Sequence, residues 1–452
     1  MQVMKWSALA LAVTAGTTQL AFASAQDESK GFVEDSKLSV LNKNYAFYRD
    51  FRNNGVNNGG SATNQNYRNE WAHGILANYQ SGYTQGTVGF GVDAHGALGI
   101  KLNSGGGTSG TGLMPIGSDG KAQDDYSYAG GAVKVRVSNT ELKYGNLIPT
   151  APVFATGTAR LFPGTAEGFQ ILSSELEGLT VDAGHFTSIR DGSLSTNKDG
   201  DITLAYGGVI DAKSADYIGG TYAISDQLSV SLYGAELEDI YRQYYANANY
   251  SIPLAEDQAL GFDFNIYRTL DEGQSKAGEI ENTAFSLAAS YSIGAHKLTL
   301  AHQRVNGDEP FDYIGMDGGN SGDSIFLANS VQYSDFNAPG EKSWQLRYDL
   351  NMATLGVPGL SFMARYITGS DADGTKADPN GAYAGAFGSD GKEWERNLEA
   401  KYVVQDGPAK DLSVRIRHST WRANNDMGGF YSSGSSAIDE VRVITEYPLD
   451  IL

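Results

Sequence analysis

Four cations sit close together near the C-terminal end of the chain: Lys401, Arg415, Arg417 and Arg442. Between Asp411 and Arg422 the sequence D-L-S-V-R-I-R-H-S-T-W-R alternates with period two. On an extended strand Leu412, Val414 and Ile416 therefore share one face, while Ser413, Arg415 and Arg417 share the other. A row of guanidinium groups offers a carboxylate successive sites of similar energy, so an anion can advance along it without a deep trap. That chemistry is recognition and passage rather than bond making. The same cations can also neutralise an acidic interior, and the two roles are compatible.

Two connecting stretches could complete such a pathway. Residues 146–167, N-L-I-P-T-A-P-V-F-A-T-G-T-A-R-L-F-P-G-T-A-E, hold three prolines, many apolar residues and just two charged ones. A solvated loop is usually more polar, so this composition predicts a segment that folds inward and narrows the passage, with Arg160 as its lone cation; the alternative is a surface loop packed on itself. Residues 307–342 are the longest connector and contain Phe311-Asp312-Tyr313 and the run G-D-S-I-F-L-A-N-S-V-Q-Y-S-D-F-N from Gly322 to Asn337. Its hydroxyls, amides, aromatics and carboxylates could line a constriction opposite the arginines, where a zwitterion would meet both signs of charge. The plainer reading of a connector this long is an exposed cap.

Other chemistry finds little support. The chain has no cysteine, which removes disulfides, thiolate metal sites and cysteine nucleophiles. The six histidines are scattered without H-E-x-x-H spacing, and His302 and His418 fall at outward or interfacial parity. Gly89-x-Gly91-x-x-Ala94 lies within an alternating strand with no helix after it, so it is no dinucleotide loop. No G-x-S-x-G occurs, and Asp371-Ala372-Asp373-Gly374 misses the pattern of a calcium-binding loop. Neither cofactor nor metal is expected, and the chain does not read as an enzyme. A formal net charge of -20 argues against a nucleic-acid partner.

The elements that must position these residues are strands. The only helical-type apolar run follows Met1 to Lys5 and ends at Ala23-Ser24-Ala25, which reads as an export signal over 1–25, leaving 26–452 as one domain. From Gly31 onward, extended segments of about ten residues alternate with polar connectors. In Leu260–Tyr267 the even positions are apolar while Asp263, Asn265 and Tyr267 take the other face; Trp344–Asp349 and Leu398–Val404 repeat the pattern. Eight short connectors, such as Ser225 to Gln227, interleave with nine long ones, roughly 50–67, 103–126, 146–167, 189–214, 237–243, 269–282, 307–342, 369–393 and 422–437. The predicted fold is all-β: a transmembrane barrel of eighteen antiparallel strands, with sixteen as the alternative count, short periplasmic turns and long extracellular loops. With 56 glycines and 26 tyrosines beside 11 prolines, the composition suits many turns and aromatic girdles. The final strand is less regular, because Ile444 shares parity with Arg442 and Glu446, and the chain ends on Leu452 rather than an aromatic residue.

Several strings carry a resemblance. Phe32-x-Glu34-Asp35-Ser36, Asn44-Tyr45 with Arg49-Asp50, S-G-Y-T-Q-G-T-V-G-F-G-V-D-A from Ser81, A-R-L-F-P from Ala159, G-A-E-L-E-D-I-Y-R-Q-Y-Y from Gly234, N-S-V-Q-Y-S-D-F-N from Asn329 and the terminal E-Y-P-L-D-I-L closely resemble the OprD family of substrate-specific outer-membrane porins. The likeness runs over essentially the whole chain after residue 25, and the terminal leucine fits it. It implies inward-folded constriction loops and passive uptake of small carboxylate-bearing solutes across the outer membrane of a Gram-negative cell. Nearest is the branch that carries basic amino acids and small peptides and admits carbapenem antibiotics; a sister branch for aromatic or other monoanionic carboxylates is the alternative, and a surface enzyme or adhesin barrel is the alternative of another class. By motif, the resemblance places a basic ladder on Arg160, Lys401, Arg415, Arg417 and Arg442, eyelet tyrosines at Tyr206, Tyr313 and Tyr333, and loop polar groups at Ser324, Ser330 and Asp335. Expected partners are small solutes and outer-membrane lipid, with the protein a monomer or a loose homotrimer.

Overall fold

The computed structural model describes residues 24–52, 66–105, 107–194, 200–316, 320–427 and 435–452. The export signal expected over 1–25 falls almost wholly outside them. The wall begins with β1 (Lys37–Phe51), β2 (Tyr67–Gln80), β3 (Val88–Lys101), β4 (Asp125–Val137) and β5 (Thr140–Leu147). Short strands β6 (Thr150–Ala151) and β7 (Phe154–Ala155) leave the wall, which resumes with β8 (Thr165–Ser173) and β9 (Leu179–Arg190). After the internal strands β10 (Ile202–Leu204) and β11 (Gly208–Ala212) come β12 (Ala215–Ala223), β13 (Leu228–Leu237), β14 (Tyr241–Ala255), β15 (Gln258–Asp271), β16 (Glu281–Ile293) and β17 (His296–Asn306). Internal β18 (Ile314–Met316) and β19 (Asn320–Ser321) precede β20 (Lys342–Asn351), β21 (Leu360–Ala372), β22 (Gly391–Val403), β23 (Ser413–Ala423) and β24 (Ala437–Asp450).

Eighteen of these strands pair antiparallel with their neighbours, and β1 closes on β24 in unbroken register from Ser39 opposite Asp450 to Phe51 opposite Ile438. Closure leaves no strand edge unpaired, which a wall surrounded by hydrocarbon requires. The count is eighteen rather than sixteen. Both ends of the barrel chain, Lys37 and Asp450, lie at the end of the short turns, and the long connectors gather at the other end. No helix among the described residues is long and apolar enough to cross a membrane; the strands do so.

Period two decides which way each residue faces. Leu298, Leu300, Trp344, Leu346, Tyr348, Val414, Ile416, Val441 and Val443 are exposed on the outer wall, where lipid is the solvent. Their neighbours Gln303, Gln345, Asn397 and Glu440 are buried on the inner side. The irregular final strand follows the same rule: Glu440, Arg442, Ile444 and Glu446 face in, and Ile444 packs in an inner apolar cluster with Tyr45 and Phe47.

The inner side is not empty, because long connectors fold down into it. Residues 148–164 turn inward: Phe154 stacks on Phe186 at 4.7 Å, and Phe162 meets Tyr126 and Tyr128 edge-on at 5.6 and 5.9 Å. The Tyr267 hydroxyl of β15 donates to the Pro152 carbonyl at 3.1 Å, so the segment spans the lumen. Gly74 of β2 is what lets it seat, since a Cβ there would stand 2.8 Å from the Phe162 ring and 2.9 Å from Leu161. Residues 307–316 and 320–341 descend beside it, and β18 pairs with β10 to form an internal sheet from two separate connectors. The inward fold expected of 146–167 is thus present, and the described part of 307–342 is no exposed cap.

Candidate solute pathway

The cations of the C-terminal strands form an ascending row. Lys401 stands opposite Arg415, and one pleat higher Glu399 stands opposite Arg417, which in turn faces Arg442. Phe47 lies beside Arg442, and one further pleat up Arg49 lies beside Glu440. Successive levels are about 7 Å apart, two residues along a strand. Glu399 is shared by Arg417 and Arg415 at 3.1 and 3.8 Å. Glu440, fully buried, is shared by Arg49 at 2.5 Å and Arg442 at 2.6 Å. Each carboxylate thus answers two guanidiniums, and the row keeps a surplus of positive charge.

Arg160 arrives from the inward segment. Its Nε donates to the Thr111 carbonyl at 2.7 Å, and its guanidinium lies 5.6 Å from the Phe47 ring centroid. Arg442 and Arg49 approach the same ring at 4.3 and 5.3 Å. Burial lowers the Arg160 pKa, and Arg442 and Arg49 push it the same way. Three like charges held around one aromatic ring store repulsion that an entering carboxylate would relieve.

The opposite sign collects on the long connector. Asp335 is 8 % exposed. It accepts from the hydroxyls of Tyr206 at 2.5 Å, Tyr313 at 2.8 Å and Ser330 at 2.5 Å. Asp323 accepts from the Thr158 amide at 2.9 Å and hydroxyl at 2.5 Å. Burial raises the Asp323 pKa, the two Thr158 bonds and Arg160 lower it, and Asp335 raises it again, so these two carboxylates and the loop arginine lie within electrostatic reach of one another. Tyr333 belongs to the cationic side, with Arg49 5.0 Å from its ring centroid. Ser324 is completely buried and accepts from the Ala155 amide at 2.6 Å, which makes it a joint between the two inward segments rather than part of their wet surface.

Inward polar residues of the wall hold the connector in place. Gln303 donates to the Asp335 and Phe336 carbonyls at 2.8 and 2.9 Å, and Gln345 donates to the Ala328 carbonyl at 2.8 Å. Glu395 accepts from the amides of Tyr333 and Ser334 at 3.0 and 2.8 Å, while Glu393 accepts from the Ser334 hydroxyl at 2.9 Å and from the Trp421 indole. Buried carboxyl oxygens that accept from several donors of one segment make strong anchors, because those donors would otherwise be left unsatisfied. Sequence reasoning missed these, along with Arg49, Phe47 and Lys43. On β1 the inward residues Tyr45, Phe47 and Phe51 are apolar or aromatic while Asn44 and Asp50 face out, so hydropathy points the wrong way there. Spacing alone did carry a signal, because Lys43 and Arg49 share parity.

One buried carboxylate ties three connectors together. Asp312 accepts from the amides of Tyr206, Gly207 and Tyr313 at 3.0, 2.8 and 2.7 Å, and from the Tyr383 hydroxyl at 2.8 Å. Burial outweighs these donors and pushes its pKa from 3.8 up to about 6. A raised acid pKa favours the protonated folded state, so the contribution is fully present below the ordinary value of 3.8 and is lost as pH rises through about 6. The loss is on the order of 3 kcal/mol. Protection of the connectors from proteolysis should therefore fall between pH 4 and pH 6 and level off above it, and Asp312→Asn should flatten that dependence.

Residues 30–451 match the family described as outer membrane porin, OprD family. The chain is 60% identical to Porin D of Pseudomonas aeruginosa, with all of both chains covered. A crystal structure of Pseudomonas aeruginosa OprD superposes with a TM-score of 0.81 at 58% identity, covering 96% of this chain and 100% of that one. The structure of Pseudomonas aeruginosa OpdK with vanillate superposes at 0.80 and 36% identity, covering 93% of this chain and 100% of that one.

Proposed function

Because the chain belongs to the OprD family of outer membrane porins and is a channel rather than an enzyme, we propose that its solutes are small carboxylates bearing a cationic group, with basic amino acids and short basic peptides foremost. The observation that carries this reading is the pairing of a cation-rich wall, Lys401, Arg415, Arg417, Arg442, Arg49 and Arg160, with Asp335 and Asp323 on a connector that occupies the same lumen. A carboxylate would step along the guanidiniums while the carboxylates drew the positive arm. Tyr206, Tyr313, Tyr333 and Ser330 would frame the narrowest part, and Ser324 would set its shape from behind. Carbapenem-type antibiotics, which carry a carboxylate and often an amine, would use the same path. Each barrel closes on itself, so a pore would serve alone or within a loose homotrimer.

Arg417→Ala and Arg415→Ala test the wall. Removing one cation from a hydrated row should slow arginine entry into liposomes at least about fivefold, since a charge pair in contact is worth about 1 kcal/mol in water and more where water is excluded. The barrel itself should stay folded, because both side chains are half-buried and face the lumen. Equal swelling rates for variants and wild type would remove the wall from the mechanism. A second reading, an aromatic monocarboxylate as solute, is favoured by the vanillate named with OpdK and needs only the cationic side. Faster permeation of benzoate than of arginine would select it.

A further inference from the structure

Charge also collects on the outer wall, facing away from the pathway. At one level Arg396 of β22, Thr420 of β23, Asp439 of β24 and Asp50 of β1 stand side by side in register. With Arg52, Arg422 and His418 they line an open groove of about 380 Å³ on the outside of the barrel. One pleat nearer the short turns the same four strands present Leu398, His418, Val441 and Tyr48, and below these comes the apolar Ile416 and Val443. The groove thus sits where the hydrocarbon band ends, at the end of the barrel that bears the long connectors.

Its internal bonds prepare it for an anion. Asp439 accepts from Arg52 at 2.9 Å and from Arg422 at 3.0 Å, which fixes both guanidiniums, yet Arg52 remains 56 % exposed. Arg396 has no carboxylate partner among the described residues and donates to the Thr420 hydroxyl at 3.3 Å. Three arginines against two aspartates leave a positive surplus on a chain whose formal net charge is -20. A related arrangement lies further along the outer face, where Arg304 of β17 and Lys342 of β20 are register partners above the exposed Trp344, with Lys342 paired to Asp371 at 3.0 Å. Guanidinium groups on lipid-facing positions are costly in hydrocarbon and tolerated at the interface, where they can hold phosphate in a fork of N–H donors.

From this we infer that the groove between β22 and β1 binds the phosphorylated headgroup of an outer-leaflet lipid, its acyl chains lying on the Ile416, Val441 and Val443 wall. Charge complementarity and depth both select a lipid phosphate over a soluble ion. The test is native mass spectrometry of the detergent-solubilised protein with a phosphorylated glycolipid, the same lipid after phosphatase treatment, and inorganic phosphate as competitor. The phosphorylated lipid should remain bound, the dephosphorylated one should bind at least about fivefold more weakly, and Arg396→Gln should reduce retention by a similar factor. Arg396 supports no carboxylate, so its replacement leaves the fold untouched, and Arg422→Gln provides a second variant. Equal retention of the two lipids, unchanged retention in both variants, or full displacement by millimolar inorganic phosphate would overturn the proposal.

Discussion

Removing residues 310–338 and rejoining the strands raises single-channel conductance at least about threefold and weakens discrimination among solutes, because conductance follows the open cross-section and the larger of the two inward connectors is gone, although the segment 148–164 still crosses the lumen. The excision is feasible because β17 and β20 are direct neighbours, with Arg304 opposite Lys342, so a short turn can replace the connector. The groups that pin the connector, Gln303, Gln345, Glu393 and Glu395, would lose partners, but in the space the connector vacates they face water and are not left unsatisfied. The strand ladder supplies the stability of the cylinder and does not pass through the connector. Planar-bilayer recording decides the matter: conductance within a factor of two of wild type would mean that the constriction lies elsewhere.

Asp335→Asn should have the second large effect. Three hydroxyl groups, from Tyr206, Tyr313 and Ser330, converge on this carboxylate, and the structure spends two tyrosines and a serine on keeping one negative charge fixed. An amide is nearly isosteric, so the connector should keep its path, still anchored by Gln303 on the Asp335 carbonyl. What changes is the field. Two unit charges about 4 Å apart attract by about 1 kcal/mol in water and about 4 kcal/mol at an effective dielectric constant near 20. A narrow, partly hydrated lumen lies between these limits, so the ratio of arginine to benzoate permeation should fall about tenfold, equivalent to about 1.4 kcal/mol. Benzoate alone should permeate as before or faster. If the ratio is unchanged, the cationic arm is not read at Asp335, and Asp323, which feels Arg160, becomes the residue to neutralise.

Both experiments rely on parts of the molecule that differ in how far the sequence announced them. Alternation along Leu260–Tyr267 and Ser413–Arg417, with the short and long connectors, determined by itself that the chain is a closed barrel and that Arg415, Arg417 and Lys401 point inward, while strand pairing decided eighteen strands over sixteen. Side-chain direction on a strand is a local property, set by a two-residue repeat, and lipid on one side amplifies it into a visible pattern. The composition of 146–167 likewise announced a buried connector, since exposed backbone does not gather apolar residues at this density. Where that connector lands was decided only by tertiary structure: Pro152 meets Tyr267 from the far wall, Phe162 rests on Gly74, and Ser324 closes the joint to Ala155. The same holds for Asp335 with Tyr206, separated by more than a hundred residues, and for Glu393 and Glu395, whose inward carboxylates hold the connector backbone. Such contacts are non-local choices among many polar partners of nearly equal local propensity. Only the enclosed volume of the barrel, which forces buried donors and acceptors to find one another, selects among them.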